Sequence, residues 1–230
     1  MKIGIIGAMD EETRALKEKM ENIESWTRAG VFFHSGAIGK HEVILVQSGI
    51  GKVQSAMTAT LLIHHYGVQA IVNTGSAGGI GDGLNVGDVV ISSQLAYFDV
   101  DVTGFGYAMG QLPQQPLYFE VSKYLLINME RAAKEVGQYT QTGLIVSGDS
   151  FVNSSEKTKE IKDYFPNALA CEMEGASIAQ VAHQFNVAFL AVRALSDTAD
   201  AYATQSFDEF IIDAGRRSAK MVFKFLEIIK

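Results

Sequence analysis

A single three-layer α/β domain, with a mixed and mostly parallel sheet between two layers of helix, is what this sequence predicts. Three observations carry that expectation. Its strand-length runs are apolar from end to end rather than alternating, as suits strands buried on both faces. The runs are separated by segments of helical periodicity, the connection that parallel strands require. Finally, 230 residues with 47% hydrophobic content can bury one large core. No linker, low-complexity stretch or repeat divides the chain, so residues 1–230 read as one domain.

Taken in order, the strand runs are KIGIIGA (2–8), EVILVQSG (42–49), AIVNTG (70–75), DVVISS (88–93), GLIVSGD (143–149), ALACE (168–172) and AFLAVRALSD (188–197). Between the second and third, Val53, Met57, Leu61 and the His64/His65 pair recur at helical spacing from Gly51 to Tyr66. Two of the three prolines flank GQLPQQP (110–116), which reads as a surface loop. After ALACE the sequence continues EMEGASIAQ, in which a strand hands over to an Ala-rich helix through two carboxylates, Glu172 and Glu174. The chain closes on a long amphipathic helix with Phe207, Phe210, Ile211, Ala214, Ser218, Met221, Val222 and Phe225 on its apolar stripe.

Composition removes several function classes. A net charge of −7 without a run of Lys or Arg does not suit a phosphate backbone, so no nucleic-acid partner is expected. MKIGIIGAMDEE offers only a short apolar run before three acids, hence no signal peptide, no membrane span and a cytoplasmic location. Cys171, the lone cysteine, sits on an apolar run and reads as a small buried hydrophobe. Its five histidines are scattered without ligand-like pairing, so no metal is expected.

In sheets of this kind ligands gather beyond the carboxyl ends of the strands. There the sequence repeatedly places polar and acidic residues: Met9-Asp10-Glu11-Glu12, Ser76-Ala77-Gly78-Gly79, Asp149-Ser150-Phe151, Glu172 to Glu174, and Ser196-Asp197. Several carboxylates around a metal-free pocket suit glycosidic cleavage, in which one acid protonates the leaving group and another carboxylate activates water. GSAGGIGDG lacks the G-x-G-x-x-G spacing, and SGIGKV lacks both the leading Gly and the Ser or Thr of a phosphate loop. Those glycines can let a ligand approach the backbone closely or merely serve turns, and by composition alone the turn reading is preferred.

IGAMDEE, SGIGKV, NTGSAGG, DVTGFGY, SGDSFV, EMEGASIA and RALSD, in this order and spacing, resemble the bacterial 5′-methylthioadenosine/S-adenosylhomocysteine nucleosidases of the nucleoside phosphorylase superfamily. The likeness spans Met1 to the final helix. It implies the nucleoside phosphorylase-like fold and hydrolysis of the adenine–ribose bond without a cofactor. It also implies roles for individual residues. Glu12 activates water, with Ser76 and Arg193 positioning it. Asp197 is the acid that protonates adenine N7, oriented by Ser196. Glu174 holds the ribose hydroxyls over Met173, with Glu172 as its companion acid and Gly78 in the binding wall. Phe151 stacks on adenine and the Val152 backbone reads its edge. Met9, Ile50 and Phe207 line an apolar 5′ pocket that Val102, Phe105 and Pro113 close, the last two from a second copy of the chain in a homodimer. Two rivals differ in the residues they need. A phosphorylase requires a phosphate cradle where this chain carries three consecutive acids, and a non-catalytic nucleoside sensor has no use for both Glu12 and Asp197.

Overall fold

The computed structural model describes every residue from Met1 to Lys230. All seven predicted strands form: β1 (Lys2–Gly7), β4 (His41–Gln47), β5 (Ala70–Gly79), β6 (Val89–Tyr97), β8 (Thr140–Ser147), β9 (Ala168–Glu172) and β10 (Ala188–Asp197). Three more complete the sheet: β2 (Glu21–Arg28), β3 (Val31–Ile38) and the two-residue β7 (Phe119–Glu120). Sequence reasoning passed over these for a physical reason. β2 lies at the sheet edge with its side chains almost all exposed, so it has no apolar run to notice. β3 buries only its ends and Phe33.

The helices are α1 (Asp10–Lys17), α2 (Lys52–Thr60), α3 (Lys123–Val136), α4 (Ser155–Tyr164), α5 (Gly175–Phe185) and α6 (Ala203–Ile228). A π-helical turn, Leu61–His65, prolongs α2 and fills the predicted helical segment. Ser122 and Ser154 cap α3 and α4, each accepting a hydrogen bond from a first-turn N–H.

Parallel pairing joins β4–β1–β5–β10 and, separately, β6–β8–β9. The β2–β3–β4 meander is antiparallel, as are the β10–β6, β5–β9 and β6–β7 pairs. Because β5 pairs with both β10 and β9, the strands β5–β10–β6–β8–β9 close into a ring, and the sheet continues from β5 through β1 to β2. Two large cores flank it. Ile3 and Ile5 of β1 point into one, against α1, α3 and α6; Ile6 points into the other, against α2 and α5. This is the three-layer arrangement the apolar runs require.

Two helices set the position of the site. The face of α6 buries Ile211, Ala214, Ser218, Met221, Val222 and Phe225 as read from the sequence, but Phe210 is exposed. Gly215 on that face leaves room for the Glu11 backbone, which a side chain there would strike, so α6 lies directly against the first turn of α1. One expectation needs correction. Gly75, Gly78 and Gly79 are strand residues of β5, not turn residues; a Cβ would strike Glu12 and Arg193 at the first, Asp197 at the second and Leu195 at the third.

Candidate active site

A pocket with about 580 Å³ of empty space, its mouth included, opens where β1, β5, β9 and β10 end. Four carboxylates line it, from Glu12, Glu172, Glu174 and Asp197, and no Lys, Arg or His does. Each acid is held differently, and the differences decide what each can do.

Of the three consecutive acids, only Glu12 turns inward. Asp10 pairs with Arg14 on the surface. At the third position of α1, Glu12 reaches back in the manner of a capping box. Its Oε2 accepts from the N–H groups of Ala8 at 2.7 Å and Met9 at 3.2 Å. Its Oε1 accepts from Ser76 N–H at 2.9 Å and Ser76 Oγ at 3.0 Å. A Cβ at position 75 would stand 2.5 Å from Glu12 Oε1 and 2.7 Å from Arg193 Nη1. Glycine in mid-strand is therefore what lets the carboxylate and the guanidinium face each other across β5.

Arg193 is buried in β10, behind the pocket wall. Its Nη2 donates to Asn73 Oδ1 at 2.6 Å and to Glu172 Oε2, with Glu174 Oε2 a longer 3.4 Å away. Nη1 donates to the Ser76 carbonyl at 3.3 Å. Burial opposes the charge, but Glu172, Glu174 and Glu12 together outweigh it, and the guanidinium pKa lies above its ordinary value. A buried cation needs such company, since an unpaired one costs several kcal/mol.

Glu172 and Glu174 divide the work that the strand-to-helix junction posed. Glu172 is saturated. Its oxygens accept from Ser147 Oγ, Arg193, Glu174 N–H and Gly175 N–H, so it caps α5 and neutralises Arg193 at once. Glu174 is not. It has one good donor, the Gly51 N–H at 2.9 Å, and the long Arg193 contact. Two protons on Nη2 cannot serve three acceptors equally, which leaves Glu174 with free acceptor capacity toward the pocket. Burial first, then the charges of Glu172 and Glu12, push its pKa up to about 8, against the pull of Arg193 and Gly51.

Asp197 ends β10 and is buried. Its Oδ1 accepts from Ala199 N–H at 2.9 Å and its Oδ2 from Ser196 Oγ at 2.8 Å. Burial raises its pKa from the ordinary aspartate value, and those two hydrogen bonds oppose the rise. Gly78 makes the approach possible, because a Cβ there would lie 2.9 Å from Oδ1. The pocket thus holds one carboxylate fixed by four donors and another that burial makes harder to ionise, a difference that acid–base chemistry on one substrate can use.

The apolar wall comes from Met9, Ile50, Phe151, Val152, Met173 and Phe207. Phe151 and Phe207 meet edge to face, centroids 5.7 Å apart. Phe151 and Ile50 remain exposed at the mouth. Val102, Phe105 and Pro113 do not line the pocket of their own chain, and Phe105, on a short 3₁₀ turn, is 86% exposed. Sequence reasoning did not single out Asn73, whose Nδ2 donates to the Ile6 carbonyl while its Oδ1 holds Arg193. The available signal was an amide directly after the apolar run Ala70-Ile71-Val72 of a strand expected to be buried. It also missed Ser147, and Cys171, which lines the pocket as a buried thiol.

Residues 2–227 match the phosphorylase superfamily. The 5′-methylthioadenosine/S-adenosylhomocysteine nucleosidase of Shewanella sediminis is 48% identical over 228 residues, 99% of each chain. That of Shewanella pealeana is 49% identical over the same span and coverage. Among solved structures, the S-adenosylhomocysteine nucleosidase of Streptococcus pyogenes, in complex with 5-methylthiotubericidin, superposes with a TM-score of 0.98 at 48% identity, covering 100% of this chain and 98% of that one. The Streptococcus pneumoniae 5′-methylthioadenosine/S-adenosylhomocysteine nucleosidase with the transition-state inhibitor MT-ImmA gives 0.97 at 51%, with both chains fully covered.

Proposed function

The chain belongs to the phosphorylase superfamily, as one of its 5′-methylthioadenosine/S-adenosylhomocysteine nucleosidases, and from that premise we propose how residues 1–230 work as one nucleosidase domain. The enzyme hydrolyses the N-glycosidic bond of 5′-methylthioadenosine and S-adenosylhomocysteine, releasing adenine and 5-methylthioribose or S-ribosylhomocysteine.

Asp197 donates its proton to adenine N7 as the bond from N9 to C1′ breaks. The leaving base then departs neutral instead of as an anion. Glu12 takes a proton from the water that attacks C1′, and Ser76, already bonded to Glu12, turns its hydroxyl to hold that water. Arg193 fixes the Ser76 carbonyl and faces Glu12 from behind. Glu174 accepts hydrogen bonds from the ribose hydroxyls above Met173, contacts that tighten as the ring flattens toward the oxocarbenium ion. Glu172 acts one step back, by holding Arg193 and the start of α5. Phe151 stacks on adenine, the Val152 backbone reads its edge, and Met9, Ile50 and Phe207 receive the 5′ alkylthio group.

The observation that carries hydrolysis over phosphorolysis is the pocket lining: four carboxylates and no cation. Arg193 is already committed to Glu172 and Asn73, so no free cation faces the pocket to receive a phosphate anion. The exposed apolar residues at the mouth, with Phe105 standing free, support a homodimer in which Phe105 and Pro113 of one copy close the other's 5′ pocket. No helix is long and apolar enough to cross a membrane. Adenine release from methylthioadenosine, followed with and without phosphate, tests the reading. Equal rates and free 5-methylthioribose are expected; a phosphate-dependent rate yielding the sugar 1-phosphate would overturn it.

A further inference from the structure

Three charged residues that line no part of the pocket tie together the two loops that do. Lys52 Nζ donates to Asp99 Oδ2 at 2.7 Å, stands 3.9 Å from Asp149 Oδ2 and lies over the Tyr97 ring. Asp99 Oδ2 also accepts from the Asp149 N–H at 2.9 Å. Asp149 Oδ1 in turn accepts from the Lys52 N–H at 2.8 Å. The cluster therefore joins residues 48–52, which bring Ile50 and Gly51 to the site, to residues 148–152, which bring Phe151 and Val152.

Its central contact is a helix cap supplied from outside the helix. The N-cap of α2 is Gly51, which has no side chain to offer the first-turn N–H groups, and those groups need an acceptor. Asp149 provides it from the neighbouring loop. Gly51 permits this twice over: its φ of +98° is open to glycine, and a Cβ there would lie 3.0 Å from Asp149 Oδ1. The same Gly51 gives its own N–H to Glu174 Oε1, the shortest hydrogen bond that carboxylate receives.

We propose that Asp149 is a positioning residue for the ribose anchor: by capping α2 across the loops it holds the Gly51 N–H against Glu174 and sets the spacing between the ribose and adenine seats. This rests on the reading of Glu174 as the group that holds the ribose. Without the cap, a glycine peptide with wide conformational freedom carries the contact, and Glu174 keeps only the 3.4 Å approach of Arg193.

The test is a double-mutant cycle on the full-length enzyme with methylthioadenosine. Asp149→Ala is expected to raise KM about tenfold, the scale of a lost helix cap, while kcat and the affinity for free adenine stay within about threefold. Asp149→Asn keeps an acceptor for the Lys52 N–H and should restore KM. In a Glu174→Gln background the Asp149→Ala step should largely vanish, because the anchor it serves is gone. An undiminished step in that background, or equal losses in kcat and adenine binding, would make Asp149 a general packing residue and overturn the proposal. Should Glu174→Gln alone leave KM and kcat unchanged, the ribose-anchor reading itself falls, and this inference with it. Lys52→Met approaches the link from the other side, removing the charge between the two carboxylates. It should raise KM with the same non-additivity, and an unchanged KM would show that the cluster has no hold on the anchor.

Discussion

Replacing Asp197 with Asn separates the proton from the shape. The amide can keep the contacts that fix the side chain: its oxygen can accept from Ala199 N–H and its nitrogen can donate to Ser196 Oγ, at the 2.9 and 2.8 Å positions now held by the carboxyl oxygens. What it lacks is an acidic proton for N7. General acid catalysis is worth about 10²–10⁴-fold, so the barrier should rise by about 3–5 kcal/mol at 1.36 kcal/mol per decade. Stability should move differently. Burial raises the Asp197 pKa in the folded protein; the stability linked to its proton is complete below the unfolded pKa and is lost as pH rises through the folded value. Ionising Asp197 in the folded protein therefore costs stability, a cost that Asn does not carry, and Asp197→Asn should melt no lower than the parent. Single-turnover adenine release and thermal melts at pH 7 check both halves. Turnover within threefold of the parent would refute the assignment of Asp197 as the acid. A large drop in Tm would instead mark it as a structural residue.

Glu12→Gln should abolish hydrolysis yet still bind adenine, measured calorimetrically; retained turnover with lost binding would make Glu12 a ligand-holding residue. For Glu174, whose carboxyl rises from 4.5 to about 8 on folding, the linked stability is complete below the lower value and disappears as pH passes the upper one. The Tm of Glu174→Gln relative to the parent should accordingly climb between about pH 4.5 and 8, and a flat difference would count against the raised value. Phe105→Ala should raise KM for alkylthio nucleosides more than for adenosine, and the protein should sediment as a dimer at micromolar concentration. A fully active monomer would rule out the shared 5′ pocket.

What the sequence determined by itself was local or repetitive. A buried strand needs an unbroken apolar run and an amphipathic helix needs its stripe, so β1, β4, β5, β6, β8, β9, β10, α2 and α6 could all be read from composition along the chain. The motifs that carry the family likeness are contiguous too, which is why the candidate acids were legible before any fold was known. Tertiary structure decided what depends on partners far away in sequence. The ring closes because β5 pairs with both β9 and β10, a choice no single strand encodes. Gly75 and Gly78 look like turn glycines until Glu12, Arg193 and Asp197 are seen to occupy the space of their missing side chains. Glu172 and Glu174, two residues apart and chemically identical, become different groups only when Arg193, Ser147 and the start of α5 saturate one and leave the other open. The physical reason is common to all three: hydrogen-bond saturation, exclusion of side-chain volume and desolvation are set by what surrounds a group in space, and the surroundings of a strand end are assembled from every part of the chain.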